Sequence, residues 1–410
     1  MSNLTLRLAL LAIGLAMLAP GQAAKFEELA LTPPMGWNSW NTFGCDIDEN
    51  MIREMADVMV SSGMRDAGYE YVNLDDCWHG QRDADGNIQV DPERFPSGMQ
   101  ALADYVHGRG LKIGIYSDAG WRTCAGRPGS RGYEFQDARQ YARWGIDYLK
   151  YDWCNTDGLR TLGAYLTMRE ALYAAGRPVV FSICEWGNSR PWEWGGDVGH
   201  SWRISGDITP CWNCEERHGE GPGAWSSWGV LRILDMRDNA ELRQYAGPGR
   251  WNDMDMLEVG NGMSAVEDRS HLTLWALLAS PLLAGNDLRT MTDETRAILT
   301  NPDIIAISQD PLGVQAFRYA QDGEIEVWFR PLSDGHWAMG VLNRGDVPVN
   351  FSFDFAAAAV VDPDFGHAAD FAAVEYRIRD IWQARNLAST AVPLSTTIAA
   401  HETLTLRLSR

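Results

Sequence analysis

A lysine and an aspartate stand two positions apart in Asp147-Tyr148-Leu149-Lys150-Tyr151-Asp152-Trp153-Cys154. In an extended segment, Tyr148, Lys150 and Asp152 share one face, and Leu149, Tyr151 and Trp153 share the other. Two ionisable side chains on an inward face are costly unless they are paired or used. A structural ion pair would explain one such stretch. The chain repeats the arrangement, however, because other strand-like stretches end in Asp75-Asp76, in Ser117-Asp118, in Cys184-Glu185, in Arg203 with Asp207, and in Asp255. Carboxylates accompanied by Lys, Arg and Trp suit cleavage of a glycosidic bond. There, one carboxylate attacks and a second, protonated carboxyl releases the leaving oxygen. A Mg2+ site for phosphoryl transfer would also use carboxylates. The Gly-Lys-Ser/Thr loop that cradles phosphate is missing, as are His-Glu-x-x-His and Gly-x-Ser-x-Gly. Neither a metal nor a cofactor is expected.

The elements that would carry these residues alternate in type. Strands are expected within Leu31–Trp40, over Tyr69–Leu74, Lys112–Tyr116, Tyr148–Asp152, Val179–Ile183, Ser201–Gly206 and Trp251–Met256, and around Ser280–Gly285. Helical patterns intervene at 49–62, 98–108, 136–144, 158–175, 225–239 and 264–278, and Gly110 is a C-terminal stop after the second. Alternation argues for a parallel sheet, and eight units over about 260 residues match a (β/α)8 barrel. In that fold the C-terminal strand ends build the active site, where the charged residues fall.

Past residue 311 the pattern changes. Asp322-Gly323 and Ser333-Asp334-Gly335 separate alternating runs at Glu324–Phe329 and Trp337–Leu342, and further runs lie at Val347–Phe353, Val374–Ile381 and Thr403–Leu408. Such turns between alternating runs predict an antiparallel β-sandwich of about 100 residues. The expected organisation is therefore a leader over 1–24, a catalytic barrel over 25–311 and a β domain over 312–410.

The leader has one charge, Arg7, a nearly apolar run over 8–19 and small residues at Gly21-Gln22-Ala23. This is the pattern of a secretory signal, cleaved near Ala23 or Ala24, and it predicts a secreted or periplasmic protein. The run is too short for a good membrane span, and no later stretch qualifies. The 410 residues carry a formal net charge of −20, and no Lys/Arg cluster could track a phosphate backbone, so nucleic acid is excluded as a partner. Eighteen tryptophans and thirteen tyrosines provide faces that pack cores and also suit sugar rings. Seven cysteines, at 45, 77, 124, 154, 184, 211 and 214, fit an oxidising compartment and leave at least one thiol over. Cys211-Trp212-Asn213-Cys214 lacks the second ligand pair of a zinc site. Oligomeric state is not legible.

Seven stretches carry a resemblance: Pro34-Met35-Gly36-Trp37-Asn38-Ser39-Trp40, Asn73-Leu74-Asp75-Asp76-Cys77-Trp78, Gly114-Ile115-Tyr116-Ser117-Asp118, Leu149-Lys150-Tyr151-Asp152-Trp153-Cys154, Cys184-Glu185-Trp186, Trp251-Asn252-Asp253-Met254-Asp255-Met256-Leu257 and Trp275–Leu282. In this order they strongly resemble the α-galactosidases of glycoside hydrolase family 27. The resemblance implies a retaining double displacement on α-galactosides, with Asp152 as nucleophile and Asp207 as acid and then base. Lys150 would favour the ionised form of Asp152. Asp207 must be protonated at the working pH, which calls for surroundings that disfavour its charge. By the same resemblance, Asp75 and Asp76 would bind the 4- and 6-hydroxyls and Trp37 would stack on the sugar. Lys150, Arg203 and Asp255 would bind other hydroxyls, while Tyr116 and Met256 would line the pocket. Glu185 would occupy the space that related α-N-acetylgalactosaminidases leave for an acetamido group, which favours galactose. The alternatives are such an N-acetylgalactosaminidase, a relative acting on isomaltodextrin or arabinopyranosides, or a non-catalytic galactoside-binding barrel. The resemblance also implies bridges Cys45–Cys77 and Cys124–Cys154 and a free Cys184. Cys211 and Cys214 are expected to close a local bridge that shapes an aglycone loop.

Overall fold

The computed structural model describes residues 25–221, 224–236 and 239–410. The leader expected over 1–24 lies outside them. Eight short strands form one parallel sheet: β1 (Met35–Asn38), β2 (Tyr71–Asn73), β3 (Lys112–Asp118), β4 (Tyr148–Asp152), β5 (Val180–Ile183), β6 (Ser201–Arg203), β7 (Trp251–Asp253) and β8 (Leu282–Ala284). They pair in the order β7-β6-β5-β4-β3-β2-β1-β8. The ring closes just beyond β7. There the Leu257 N–H donates to the Leu283 carbonyl at 2.8 Å, and the Gly285 N–H donates to the Leu257 carbonyl at 3.0 Å. The barrel interior is tight: a Cβ added at Gly114 on β3 would lie 2.0 Å from Asn73 Oδ1 on β2.

The helices follow from local signals. Helix α1 (Glu49–Ser61) starts where the Asp48 carboxylate accepts from the Met51 N–H at 2.8 Å, and it buries Met51, Ile52, Met55, Ala56 and Met59 as one helical stripe. Helix α2 (Gly98–Gly108) stops at Gly110, whose φ of +72° is the left-handed turn expected there. Helices α3 (Glu134–Trp144) and α4 (Thr161–Ala175) precede β5, and only two 3-10 turns connect β5 to β6. After β6 comes α5 (Val230–Asp235), and α6 (Ala265–Leu277) opens with a Ser264/Glu267 capping box.

Two connections differ from expectation. The loop after Trp78 forms a small hairpin, His79–Arg82 against Ile88–Val90. Its turn is nucleated by the Asp83 carboxylate, which accepts from the Asp85 and Asn87 N–H groups. The helix expected over 225–239 is not formed as such. Trp225–Trp228 is extended and pairs with Glu215–His218, and helix α5 begins only at Val230. The backbone of Trp228 is claimed by β6's exit loop: its N–H donates to the Asp207 carbonyl at 2.9 Å, and its carbonyl accepts from the Thr209 N–H at 3.0 Å.

Beyond α7 (Asp293–Leu299) and α8 (Pro302–Ser308) the chain turns to antiparallel strands. β9 (Phe317–Asp322), β10 (Ile325–Pro331), β11 (Trp337–Asn343), β15 (Thr403–Ser409) and β13 (Arg377–Asp380) run side by side in that order. β12 (Val349–Phe353) pairs with β14 (Leu394–Ile398) as a second sheet. Phe329, Trp337, Met339, Leu406 and Ile398 share the core between the sheets. Trp328, Ala338 and Leu342 instead join the barrel's core, and the Arg330 guanidinium donates to the Ala276 carbonyl at the end of α6. Arg243, 1% exposed, spans the same boundary with two hydrogen bonds of 2.7 Å to Asp362. Among the described residues no helix is long and apolar enough to cross a membrane.

Candidate active site

The acidic strand ends meet at the C-terminal mouth of the barrel. At the end of β2, Asp75 is 2% exposed, and its Oδ2 accepts from Asn38 Nδ2 on β1 at 2.8 Å and from Lys150 Nζ on β4 at 2.9 Å. Its Oδ1 accepts from the Asp76 N–H. Asp76 accepts from the Cys77 N–H at 2.6 Å and the Ala125 N–H at 2.9 Å, and burial still lifts its carboxyl above the ordinary carboxylate range. Lys150 Nζ also lies 5.4 Å from the Tyr116 ring centre. The direct partner of Lys150 is thus Asp75 and not Asp152. Its effect on Asp152 is through space.

Asp152 ends β4, is 5% exposed and accepts from the Trp153 N–H at 2.9 Å. Burial pushes its carboxyl up to about 6; the Lys150 cation opposes that rise, while the charges of Asp207 and Asp75 add to it. Its β3 neighbour Asp118 is pushed further, to about 9, first by burial and then by the Asp152 charge. Asp118 accepts from the Gly120 N–H at 2.6 Å and the Cys154 N–H at 2.9 Å, so it pins the loop that follows the Asp152 strand.

Arg203, at the end of β6 and 3% exposed, fans out over the opposite wall. It donates to Asp207 Oδ1 at 3.0 Å, to the Gly206 carbonyl at 2.6 Å and to Asp255 Oδ2 at 2.9 Å. Asp255 also accepts from the Ile208 N–H, which joins β7's exit to β6's. Burial raises the Asp253 carboxyl to about 6 despite Arg203. Glu185, past β5, is 1% exposed and accepts from the Ser189 N–H at 2.7 Å. Trp37 is fully buried and donates its indole N–H to the Asn286 carbonyl at 2.8 Å.

Backbone strain collects at the same rim. Cys77, Asn155, Trp186 and Asp255 have φ of +79°, +52°, +58° and +78°, and each stands just beyond a strand carrying one of these acids. Non-glycine residues hold such angles only where surroundings fix them, and functional sites are where they concentrate. Disulfides Cys45–Cys77, Cys124–Cys154 and Cys211–Cys214 brace these loops, and Cys184 is unbridged and buried, as expected.

The mouth opens into a cavity of about 730 Å3 whose wall includes Asp207, Trp40, Trp186, Trp225 and Trp228. Beneath it lies a small polar chamber lined by Lys150, Arg203, Asp255 and Met256 together with Asn38 and Asp253. Asn38, Asp118 and Asp253 join the site without a role expected from the sequence. Each follows the same signal that exposed the rest, a polar residue on the inner face or exit of a barrel strand.

The chain is similar to known proteins over most of its length. Residues 32–310 match the family described as Alpha galactosidase A, and residues 322–408 match the Alpha galactosidase C-terminal beta sandwich domain. The chain is 58% identical over 404 residues to Alpha-galactosidase A of Cellvibrio japonicus, covering 98% of each chain. It is 47% identical over 328 residues to Alpha-galactosidase of Cyamopsis tetragonoloba, covering 77% of this chain and 74% of that one. The crystal structure of alpha-galactosidase I from Mortierella vinacea superposes with a TM-score of 0.84 at 36% identity, over 93% of this chain and 98% of that one. The chain belongs to the alpha-galactosidase A family of glycoside hydrolases, glycoside hydrolase family 27.

Proposed function

We propose that this α-galactosidase removes terminal non-reducing α-D-galactose with retention, using Asp152 as nucleophile and Asp207 as acid and then base. The observation that carries the reading is the placement of two carboxyls on different strand exits, Asp152 buried at the end of β4 and Asp207 past β6 on the wall of the cavity. In the first step the Asp152 carboxylate attacks the anomeric carbon while Asp207 gives its proton to the leaving oxygen. In the second, Asp207 takes a proton from water as that water displaces the sugar from Asp152. Such a mechanism places the two carboxyls about 5–5.5 Å apart. The nucleophile must be ionised, which the Lys150 cation supports against burial.

Asp75 and Asp76 are proposed to hold the 4- and 6-hydroxyls, Lys150, Arg203 and Asp255 the others, with Tyr116 and Met256 as walls. Trp37, expected to stack on the sugar, is fully buried with its indole on the Asn286 carbonyl, and the tryptophan of the same stretch that lines the cavity is Trp40. Asp75 is held by Asn38 and Lys150, so a sugar that lacked its hydroxyl partner would leave a positioned acceptor unpaired, which is strongly discriminating. Glu185 is proposed to accept from the 2-hydroxyl and to block an acetamido group. The leader, with its lone Arg7 and apolar run, supports export. The division near residues 311 and 312 is supported by the change from helix α8 to strand β9.

The test is hydrolysis of p-nitrophenyl α-galactoside beside the α-N-acetylgalactosaminide, with Asp152→Ala as control. The galactoside alone is expected to turn over, and the variant to be inactive on both. Faster turnover of the N-acetylgalactosaminide, or an active variant, would refute the reading.

A further inference from the structure

The hairpin that replaces the expected helix after Asp207 has features that core packing does not explain. Trp225 is 47% exposed although it is a large apolar residue on a strand. Its ring stacks on His218 of the facing strand with centroids 4.0 Å apart, and His218 Nε2 is in turn hydrogen-bonded to Ser227 Oγ at 2.8 Å. The exposed indole is therefore held in one orientation by a ring behind it. It stands on the wall of the cavity that contains Asp207.

The hairpin is also tied directly to that acid. Trp228 donates its N–H to the Asp207 carbonyl, and its ring packs where a Cβ on Gly206 would be, 2.0 Å away. At the base, the Cys211–Cys214 bridge packs against Gly229, where an added Cβ would lie 2.6 Å from Cys211 Sγ. Gly229 and Val230 donate their N–H groups to the Cys214 and Cys211 carbonyls. The platform, its backing ring and the loop that carries the acid are thus joined by direct contacts, and Trp225 and Asp207 line one cavity.

We infer that Trp225 is an aglycone platform, stacking on a sugar ring of a galactosylated oligosaccharide or polysaccharide chain while the terminal galactose occupies the inner pocket. The inference rests on the galactosidase reading above. A flat indole face meets the axial C–H face of a pyranose as it meets any apolar surface, without reading hydroxyls. Trp225 therefore selects for a sugar at the leaving side rather than for one particular sugar. Asn188 lines the same cavity and offers a polar group to that ring.

The experiment compares Trp225→Ala and Trp225→Phe with the wild type on two substrates, α-galactosyl fluoride and an α-galactosylated mannopentaose. The fluoride has no aglycone ring, so its kcat/KM should stay within about twofold in both variants. On the oligosaccharide, Trp225→Ala should lose about tenfold in kcat/KM, the size of one lost aromatic stacking contact, and Trp225→Phe should recover part of it. An unchanged value on the oligosaccharide, or an equal loss on the fluoride, would overturn the inference. A wild type inactive on α-galactosyl fluoride would instead overturn the galactosidase reading.

Discussion

Removing the Lys150 cation tests how the pocket is held together, because the charge partner is Asp75 rather than the proposed nucleophile. Nζ and Oδ2 are 2.9 Å apart, with side chains 16% and 2% exposed. At an effective dielectric of about 20 their gross attraction is about 6 kcal/mol. Truncating one member of a buried pair typically costs about 3–5 kcal/mol, since the other charge is left without its partner. Asn38 and the Asp76 N–H still donate to Asp75 in a Lys150→Met variant, which places the expected loss near the lower end, about 3 kcal/mol. The double variant Lys150→Met/Asp75→Asn removes both charges and should regain about 2 kcal/mol relative to the single. Urea unfolding followed by tryptophan fluorescence reads both values, and activity does not enter, since both residues are proposed to touch the sugar. A single-variant loss below about 1 kcal/mol would refute the pairing argument, as would a double variant no more stable than the single.

Asp118→Asn gives a test through pH. The folded-state value of Asp118, about 9, lies above its unfolded value, so folding favours the protonated carboxyl. That contribution is fully present below pH of about 4 and is lost as pH rises toward 9. The asparagine variant should therefore gain stability relative to the wild type between pH 5 and pH 8, whatever the fixed cost of its altered hydrogen bonds to Gly120 and Cys154; a difference independent of pH would contradict the assignment. Gly206→Ala should collide with the Trp228 ring and displace the acid's loop, so kcat should fall by about 100-fold while the inner pocket still binds galactose as a competitive inhibitor. Equal losses in kcat and in galactose affinity would show instead that the whole barrel mouth had moved.

The barrel was legible because its strands end in chemistry. Asp75, Asp152, Glu185, Arg203 and Asp255 all stand at or just past the ends of strand-like stretches, and that pattern survives small errors in the strand bounds. The residues around Trp225 were misjudged for a physical reason. Trp225-Ser226-Ser227-Trp228 followed by Val230–Asp235 has apolar spacing compatible with one helix, but Trp228 is drawn into extended geometry by hydrogen bonds to Asp207 and Thr209, which are distant from it in sequence. The partner of Lys150 was hidden in the same way. Asp152 is its neighbour along the strand, yet Asp75 is brought to it across β3 by the curl of the barrel, which no local pattern encodes. Asn38 was within a recognisable stretch, but its role depends on facing Asp75 from the adjacent strand.

The central claim, that Asp152 and Asp207 work by double displacement, is tested most directly by the anomer first released. Hydrolysis of p-nitrophenyl α-galactoside followed by proton NMR from the first seconds should show α-galactose appearing before mutarotation supplies the β anomer. If β-galactose appears first, the enzyme inverts, and Asp152 cannot be the residue that forms a covalent intermediate.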